Sequence, residues 1–263
     1  KPRSRNLQTP AIWQTVVTQA VCAALLAAGL CFAPAARAGT PGRSLGPLEL
    51  SSVGPMTFTD SGVLLVADPM KATIHAIDLE IADGGPSDAD PGVNDLPAAI
   101  RESLGLEASP KLGELAADPS SRTTVVSVTA DDAVHLVLID AAGKIAKLNL
   151  DKVNHASKVL MDAPADQEIV RRGRTSNPRS QSITDIAFFE GKVMVTGMAS
   201  GDDPSRVLEM SFPFAKNGIA TSVEIFHAAH GRVEDATIRT FLPMVVDGKP
   251  NLLAGFTCTP LVR

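Results

Sequence analysis

The stretch GPMTFTDSGVLLVADPMKATIHAIDL, residues 54–79, decides the fold class of this chain. It contains three short apolar runs separated by turn residues, which predicts three antiparallel strands. The middle run, residues 63–67, is apolar at every position, so both faces of that strand must be covered by other parts of the protein. Such a strand belongs inside a stack of sheets.

The same rhythm of strands and turns recurs three times along the chain. The later copies are LGELAADPSSRTTVVSVTADDAVHLVLIDAAGKIAKLNL (112–150), ITDIAFFEGKVMVTGMASGDDPSRVLEMSFPF (183–214) and FLPMVVDGKPNLLAGFTCTPLV (241–262). In each copy an apolar strand is followed by an acidic turn and then by a strongly apolar strand. The acidic turn residues are Asp60, Asp118, Glu190 and Asp247. Three of these turns also contain a glycine, which tolerates the positive φ of a tight hairpin: Gly62, Gly191 and Gly248.

These repeats predict an all-β protein, a β-propeller of repeated four-stranded blades. The blades fall near residues 47–80, 112–151, 182–214 and 223–263, with insertions at residues 81–111 and 163–181. A large two-sheet sandwich would also alternate strands and turns. There, however, the repeated acidic hairpin would be a coincidence, so the propeller is the preferred prediction.

The fourth repeat stops before it is full, which predicts a propeller that is incomplete in residues 39–263. A closed ring shields the apolar faces of its first and last blades. We therefore expect further blades to follow in the natural chain, where Cys258 would find its partner. A four-bladed ring is the alternative, and it would need the last blade to borrow a strand, for example from residues 47–53.

The two insertions differ in character. Residues 81–111 are acidic and contain one short helix, which Asp95 would cap, with Pro97 in its first turn and Gly105 at its end. Residues 163–181 are polar, and three of their arginines are Arg171, Arg172 and Arg174. Both insertions are expected to be surface loops between blades. The alternative function for the arginine loop is an anion-binding rim.

Residues 1–38 have the features of an export signal. A basic start is followed by an uncharged stretch that is densest in apolar residues from Ala20 to Ala33, and Ala36-Arg37-Ala38 offers a cleavage site. The apolar core is shorter than the ~20 residues of a membrane-spanning helix, although a retained anchor is the alternative. We expect cleavage after Ala38, a periplasmic or secreted protein, and no membrane span after cleavage.

Net charge and amino-acid composition limit the kinds of partner and ligand that are expected. The formal net charge of −5 becomes −9 when the four basic residues of the signal are removed, which excludes nucleic acid as an expected partner. Cys258 is the single cysteine left in the mature chain, so burial must stabilise the fold without a disulfide framework. The chain has no tyrosine, and Trp13 lies in the signal. Aromatic platforms that stack a sugar or a quinone cofactor on tryptophan are therefore not expected.

The stretch of residues 54–79 resembles the blades of secreted bacterial propellers of the NHL and SMP-30/lactonase-like type. The resemblance lies in the "VLLVAD" strand after an acidic turn and in the strand that ends "AIDL", and later segments extend it over most of residues 47–263. It implies a propeller fold. In SMP-30-like enzymes a divalent cation is held by acidic and amide side chains at the central channel, but those ligands cannot be matched to residues of this chain.

The stretch HAAHGRVED, residues 227–235, gathers the candidate metal ligands His227, His230, Glu234 and Asp235. Imidazole and carboxylate together suit zinc, iron or manganese better than calcium. His227 would end one strand and Glu234 would lead into the next, so loop geometry alone could bring the four together. Their spacing matches no established zinc signature.

The alternative for this stretch is a polar connection between blades, in which Arg232 or Arg239 pairs with Glu234 or Asp235. We expect His227 and Glu234 to lie near one another without a permanently bound ion. No organic cofactor is expected, and a divalent metal ion is the single candidate.

Three classes of function follow. The first is a binding or scaffold propeller for an unknown small molecule or protein. The alternative is a metal-assisted hydrolase of lactonase or gluconolactonase type, in which a channel cation would polarise a carbonyl and activate water. The third class is an accessory protein of an exported redox system, although no particular residue of the sequence indicates it.

Overall fold

Strands dominate the part of the chain that the structure describes. The computed structural model describes residues 42–79, 93–118, 120–171, 173–201, 205–214, 218–223, 226–227, 231–232 and 237–256. For residues 171, 226, 227, 231 and 232 it describes the backbone alone. All these residues belong to one compact unit, Gly39–Arg263. The described part is mostly β, as the sequence predicts.

Nineteen strands are formed within these ranges, numbered along the chain. They are β1 (Ser44–Gly46), β2 (Met56–Phe58), β3 (Val63–Asp68), β4 (Thr73–Asp78), β5 (Lys111–Ala117), β6 (Thr124–Ala130), β7 (Ala133–Ile139), β8 (Ile145–Lys147), β9 (Val153–Val159), β10 (Ile169–Arg171), β11 (Arg174–Ser176), β12 (Asp185–Phe189), β13 (Lys192–Met198), β14 (Ser205–Ser211), β15 (Ile219–Ser222), β16 (Phe226–His227), β17 (Gly231–Arg232), β18 (Ile238–Val246) and β19 (Lys249–Phe256).

Four of the sheets correspond to the four repeats, and we number them in chain order. Sheet I has the order β1-β9-β4-β3-β2, sheet II is β5-β6-β7-β8, sheet III is β12-β13-β14-β15, and sheet IV is β18-β19. All pairings are antiparallel. Sheets II and III have the four strands expected of a blade, whereas sheet I has five and the described part of sheet IV has two.

The acidic turns occupy the same place in all four sheets. We call β2, β5, β12 and β18 the first strands, since each of them begins one of the four repeats. The connection from this strand to the next one contains the acidic residue in every case: Asp60, Asp118, Glu190 and Asp247. Glu190 and Asp247 have φ of 49° and 51°, and the glycines after them have φ of 75° and 72°. Positive φ at both central residues is the conformation of the tight two-residue hairpin that favours a glycine.

Sheet I lies between sheets II and III. Along β3, Val63, Leu65 and Ala67 belong to a cluster that includes Val193 and Val195 of sheet III. The intervening residues Leu64 and Val66 belong to a second cluster, which includes Val125 and Leu136 of sheet II. All five β3 residues are at most 3% exposed, so the predicted coverage of both faces is confirmed.

The stack continues on both sides. The other face of sheet III packs on sheet IV through Met194, Val207, Phe241 and Phe256. The other face of sheet II packs on the helix α1 (Leu96–Leu104) through Val126, Val128 and Ile100. The sheets therefore stand in the order II, I, III, IV, and the first strands of neighbouring sheets contact each other.

The spatial order differs from the order of the repeats along the chain. Consecutive blades would place sheet II between sheets I and III. Instead the chain leaves sheet I after β4, forms sheet II, and returns as β9, which pairs with β4 from Thr73↔Val159 to Asp78↔Asn154. The return strand occupies the fourth position of sheet I, and sheet III follows from there.

Helix α1 begins and ends where the sequence predicts. The side chain of Asp95 accepts a hydrogen bond from the Ala98 amide, a proline occupies the first turn, and Gly105 ends the helix with φ of 65°. The second insertion contains more regular structure than the expected loop, since β10 pairs with β11 and a 3-10 helix spans Pro178–Gln181. No helix within the described ranges is long and apolar enough to cross a bilayer.

Candidate functional site

A cavity of about 340 Å³ opens where the first strands of sheets I, III and IV begin. We call it the polar pocket. Its walls come from three separated parts of the chain: residues 52–55 with the turn Pro69–Met70, the segment from Ser180 to Thr184, and Arg239 of β18. The pocket therefore depends on the stacking of the sheets and not on one local motif.

The buried carboxylate of Asp68 builds the first wall. It accepts hydrogen bonds from the Ser51 amide (2.7 Å), the Ser52 amide (3.1 Å), the Ser52 hydroxyl (2.6 Å) and the Lys71 amide (3.2 Å). The Ser52 hydroxyl oxygen in turn accepts from the Met70 amide at 3.0 Å. These bonds tie the segment before β2 to the β3–β4 turn, so this wall has a fixed geometry.

The second wall is joined to its neighbours by three side-chain hydrogen bonds. The Ser182 hydroxyl donates to the Pro69 carbonyl at 2.7 Å, which links sheets I and III. The Thr184 hydroxyl donates to the Ile238 carbonyl at 2.6 Å, and the Thr237 hydroxyl donates to the Gln181 side-chain oxygen at 3.1 Å. The last two bonds link sheet III to sheet IV, so all three sheets hold the pocket in shape.

The lining of the polar pocket favours a polar ligand. Its polar lining residues include Ser180, Gln181, Thr184 and Arg239. Among the described residues that line it, none carries a carboxylate. A ligand with hydroxyl groups or a negative charge would meet donors and acceptors there, together with one positive charge.

The stretch with the candidate metal ligands falls mostly outside the described residues. The backbone of β16 pairs with that of β17, with His227 opposite Gly231, so Gly231 lies in a strand. The side chain of His227 and the whole of His230, Glu234 and Asp235 lie outside the described part. The metal site and its alternative, the polar connection, therefore stay predictions. Within the described ranges, no group of three or more His, Cys, Asp or Glu residues could hold a metal ion.

The proposed arginine rim lies on the β10–β11 hairpin, where Arg171 is paired with Arg174 across the strands. Arg174 is exposed, while Arg172 and the side chain of Arg171 lie outside the described residues. The hairpin does not contribute to the described lining of the polar pocket. Anion binding at this rim stays a prediction.

His75 is the histidine whose surroundings the structure defines best. It lies on β4 with 4% exposure, and its Nδ1 is 2.7 Å from the Ser157 hydroxyl oxygen. Burial lowers the pKa of His75 from 6.5 to about 4. His75 is therefore a core residue that is hydrogen-bonded through Nδ1.

The sequence did not identify the residues of the polar pocket. Ser180, Gln181 and Thr184 occur in a polar segment that resembles any surface loop, and residues 52–55 precede the first strand. The one sequence feature that could have located the pocket is the repeated pattern of four strands, which predicts that the first strands of the repeats lie next to one another. Residues at the starts of these strands are then expected to lie close together.

Neither a family model nor a curated protein matches this chain. Among solved structures, the chain is similar to the PQQ-bound form of an aldose sugar dehydrogenase from Streptomyces coelicolor, at 12% identity over 82% of this chain and 98% of that one, with a TM-score of 0.26. It is also similar to virginiamycin B lyase from Staphylococcus aureus, at 14% identity over 84% and 73% of the two chains, with a TM-score of 0.22. Similarity at this level carries neither ligand nor activity over to this chain.

Proposed function

We propose that residues 39–263 form an exported propeller that binds a small polar ligand in the polar pocket. One observation carries the proposal: three sheets contribute walls to this pocket, and buried or partly buried hydrogen bonds of Asp68, Ser182 and Thr184 fix those walls. A preformed concave site with a few polar groups is the usual form of a ligand site.

The propeller is supported by the arrangement of the sheets. Sheets II and III are four-stranded antiparallel meanders, the sheets stack face to face, and their first strands are neighbours. Blades around an axis have these properties. The blade-like sequences that resemble NHL and SMP-30/lactonase-like repeats agree with this proposal, and the basic and apolar start of the chain supports export to the periplasm or beyond.

The chemistry of the lining suggests a hydroxylated carboxylate as the first ligand to test. Hydroxyl groups would bond to Ser180, Gln181 and Thr184, and the carboxylate would bind the guanidinium of Arg239. At about 340 Å³ the pocket accepts a molecule of a few carbon atoms. Gluconate has both features, and sorbitol provides the same hydroxyl groups without the charge.

Calorimetric titration of residues 39–263 with gluconate tests the proposal. We expect saturable binding at one site, weaker binding of sorbitol, and about a tenfold loss of gluconate affinity in Arg239→Gln, because a charge-assisted hydrogen bond is removed. Arg101→Gln, at an exposed position of α1 away from the pocket, is the matched control and should bind like the wild type. Absence of binding by both probes, or equal affinity in Arg239→Gln and wild type, would contradict the proposal.

The metal-assisted hydrolase is tested on the same protein with glucono-δ-lactone and added manganese, zinc or calcium. No observation within the described residues favours this alternative, and we expect the spontaneous rate of lactone opening to stay unchanged. Saturable hydrolysis that a chelator abolishes would show that the chain is an enzyme of the lactonase type.

A further inference from the structure

A second cavity, of about 320 Å³, lies between the strands β4 and β9 of sheet I and the segment that follows β14. We call it the arginine pocket. Ala76, Ala156 and residues 212–214, which are Phe-Pro-Phe, give it apolar walls, and Arg43 also lines it. It shares no lining residue with the polar pocket, so it is a separate place in the molecule.

The aromatic wall of the arginine pocket is held in place by other rings. The ring of Phe212 meets the rings of Phe188 and Phe214 edge to face, with centroids 5.9 Å and 5.7 Å away. All three rings pack against the core cluster between sheets I and III. Such edge-to-face contacts are favourable and directional, so the wall is preformed.

The guanidinium of Arg43 is buried, and three of its five N–H donors, on Nε and Nη2, have no partner among the described residues. The side chain is 3% exposed, and its Nη1 forms an ion pair with Asp78 at the end of β4. One face of the guanidinium lies over Phe212, with Cζ 5.7 Å from the ring centroid. Within the described part of the chain, Nε and Nη2 have no hydrogen-bond partner.

These two nitrogens form one edge of the guanidinium. Their N–H bonds point in the same direction and match the two oxygens of a carboxylate, which such an edge binds through two parallel hydrogen bonds. Burial lowers the pKa of Arg43 to about 10, so the group remains charged at neutral pH. A buried charge with an unused pair of donors is an unfavourable state that an anionic ligand would relieve.

We propose that the arginine pocket binds a small monocarboxylate with an apolar body. The carboxylate would bond to Nε and Nη2 of Arg43, and the apolar body would pack against Phe212, Phe214 and the alanines of sheet I. A single negative charge fits better than a phosphate dianion, because the described lining offers no second cation. The apolar walls distinguish this ligand from the hydroxylated one of the polar pocket.

Titration of residues 39–263 with hexanoate tests the inference. We expect saturable binding of hexanoate, with hexanol binding at least about tenfold more weakly, because it lacks the charge that pairs with the guanidinium. Arg43→Lys retains a charge for Asp78 but loses the paired donors, and it should lower the affinity for hexanoate about tenfold. Arg101→Lys makes the same exchange at an exposed position of α1, away from both pockets, and should leave the affinity unchanged.

A second variant keeps the test valid if Arg43→Lys does not fold. Ala156→Leu fills the cavity from the sheet I side, leaves Arg43 in place, and should also remove hexanoate binding. Lack of saturable hexanoate binding to the wild type, equal binding of hexanol, or unchanged binding in the folded variants overturns the inference. Gluconate binding should be unaffected by Ala156→Leu, so the two pockets can fail independently.

Discussion

Asp68 shows how one side chain can position a site that it does not itself line. It is fully buried, and its four hydrogen bonds reach the segment of Ser51 and Ser52 as well as the following turn. A sequence pattern shows an aspartate before a proline, which predicts a turn. It does not show that the carboxylate binds amides 16 and 17 residues upstream, because that contact exists only once the chain has folded.

His75 is expected to make the stability of the protein depend on pH. Its pKa in the folded protein, about 4, lies below its ordinary value of 6.5 because burial disfavours the charged imidazole. The stability contributed by neutral His75 is therefore complete above pH 6.5 and is lost as the pH falls towards 4. The full effect is about 3 kcal/mol. His75→Gln should flatten the profile of unfolding free energy over this pH range.

Urea unfolding of residues 39–263, followed by far-UV circular dichroism, measures this profile, since these residues contain neither tryptophan nor tyrosine as a fluorescent probe. Ser157→Ala is the matched control. It removes the hydrogen bond of His75 but keeps the buried imidazole, so it should lower stability by about 1 kcal/mol and retain the pH dependence. Parallel pH profiles of unfolding free energy for the wild type and His75→Gln would show that His75 does not cause the pH dependence.

At the scale of elements, the sequence predicts those helices and strands whose local pattern is strong. The helix α1 was predicted together with both caps, because Asp95 and Gly105 act on their own neighbours. The hairpin of β10 and β11 was not predicted, because its strands have only three residues each and include arginine, threonine and serine. Runs of that length are too short to show a period of two.

The turn between β12 and β13 carries a residue that its backbone does not favour. Glu190 has φ of 49°, in the left-handed region, and Gly191 follows with φ of 75°. Asparagine tolerates this conformation better than glutamate and is preferred before glycine in such hairpins. Glu190→Asn should therefore raise the unfolding free energy by about 0.5–1 kcal/mol.

Glu190→Gln is the control for that change. It removes the same charge but keeps the unfavourable side chain, so it should stay within about 0.5 kcal/mol of the wild type. Urea midpoints of the three proteins give the comparison. If glutamine stabilised as much as asparagine, charge and not backbone conformation would be the cause.

At the scale of the whole molecule, sheet I is the layer that both neighbouring sheets depend on. Leu65 of β3 is fully buried against sheet III. Leu65→Ala should lower the unfolding free energy by about 3 kcal/mol, because it leaves a cavity in a packed core. Leu115 is 56% exposed on β5, and Leu115→Ala should cost less than about 1 kcal/mol.

The two alanine variants are compared by the same urea titration. Similar losses for Leu65→Ala and Leu115→Ala would mean that sheet I is not packed as described. A steep, single transition in both variants is also expected, since the sheets share continuous apolar clusters.

The order of the sheets was beyond the reach of the sequence. The apolar run of β3 predicts that both of its faces are covered, and the structure confirms this. The strand β9 has the sequence VNHASKV, which contains no apolar run and no alternation that marks one face. Its place beside β4 depends on pairing over a long separation along the chain, so a local pattern could not reveal it.

The position of β9 late in the chain also has a consequence for folding during synthesis. During synthesis the outer edge of β4 emerges early, but the strand that pairs with it follows only after helix α1 and all of sheet II. Throughout that interval the edge presents unpaired N–H and C=O groups, which another nascent chain can join. An unfinished copy is therefore most prone to aggregate while residues 79–152 are being made, and a chaperone that shields strand edges would help most during that interval.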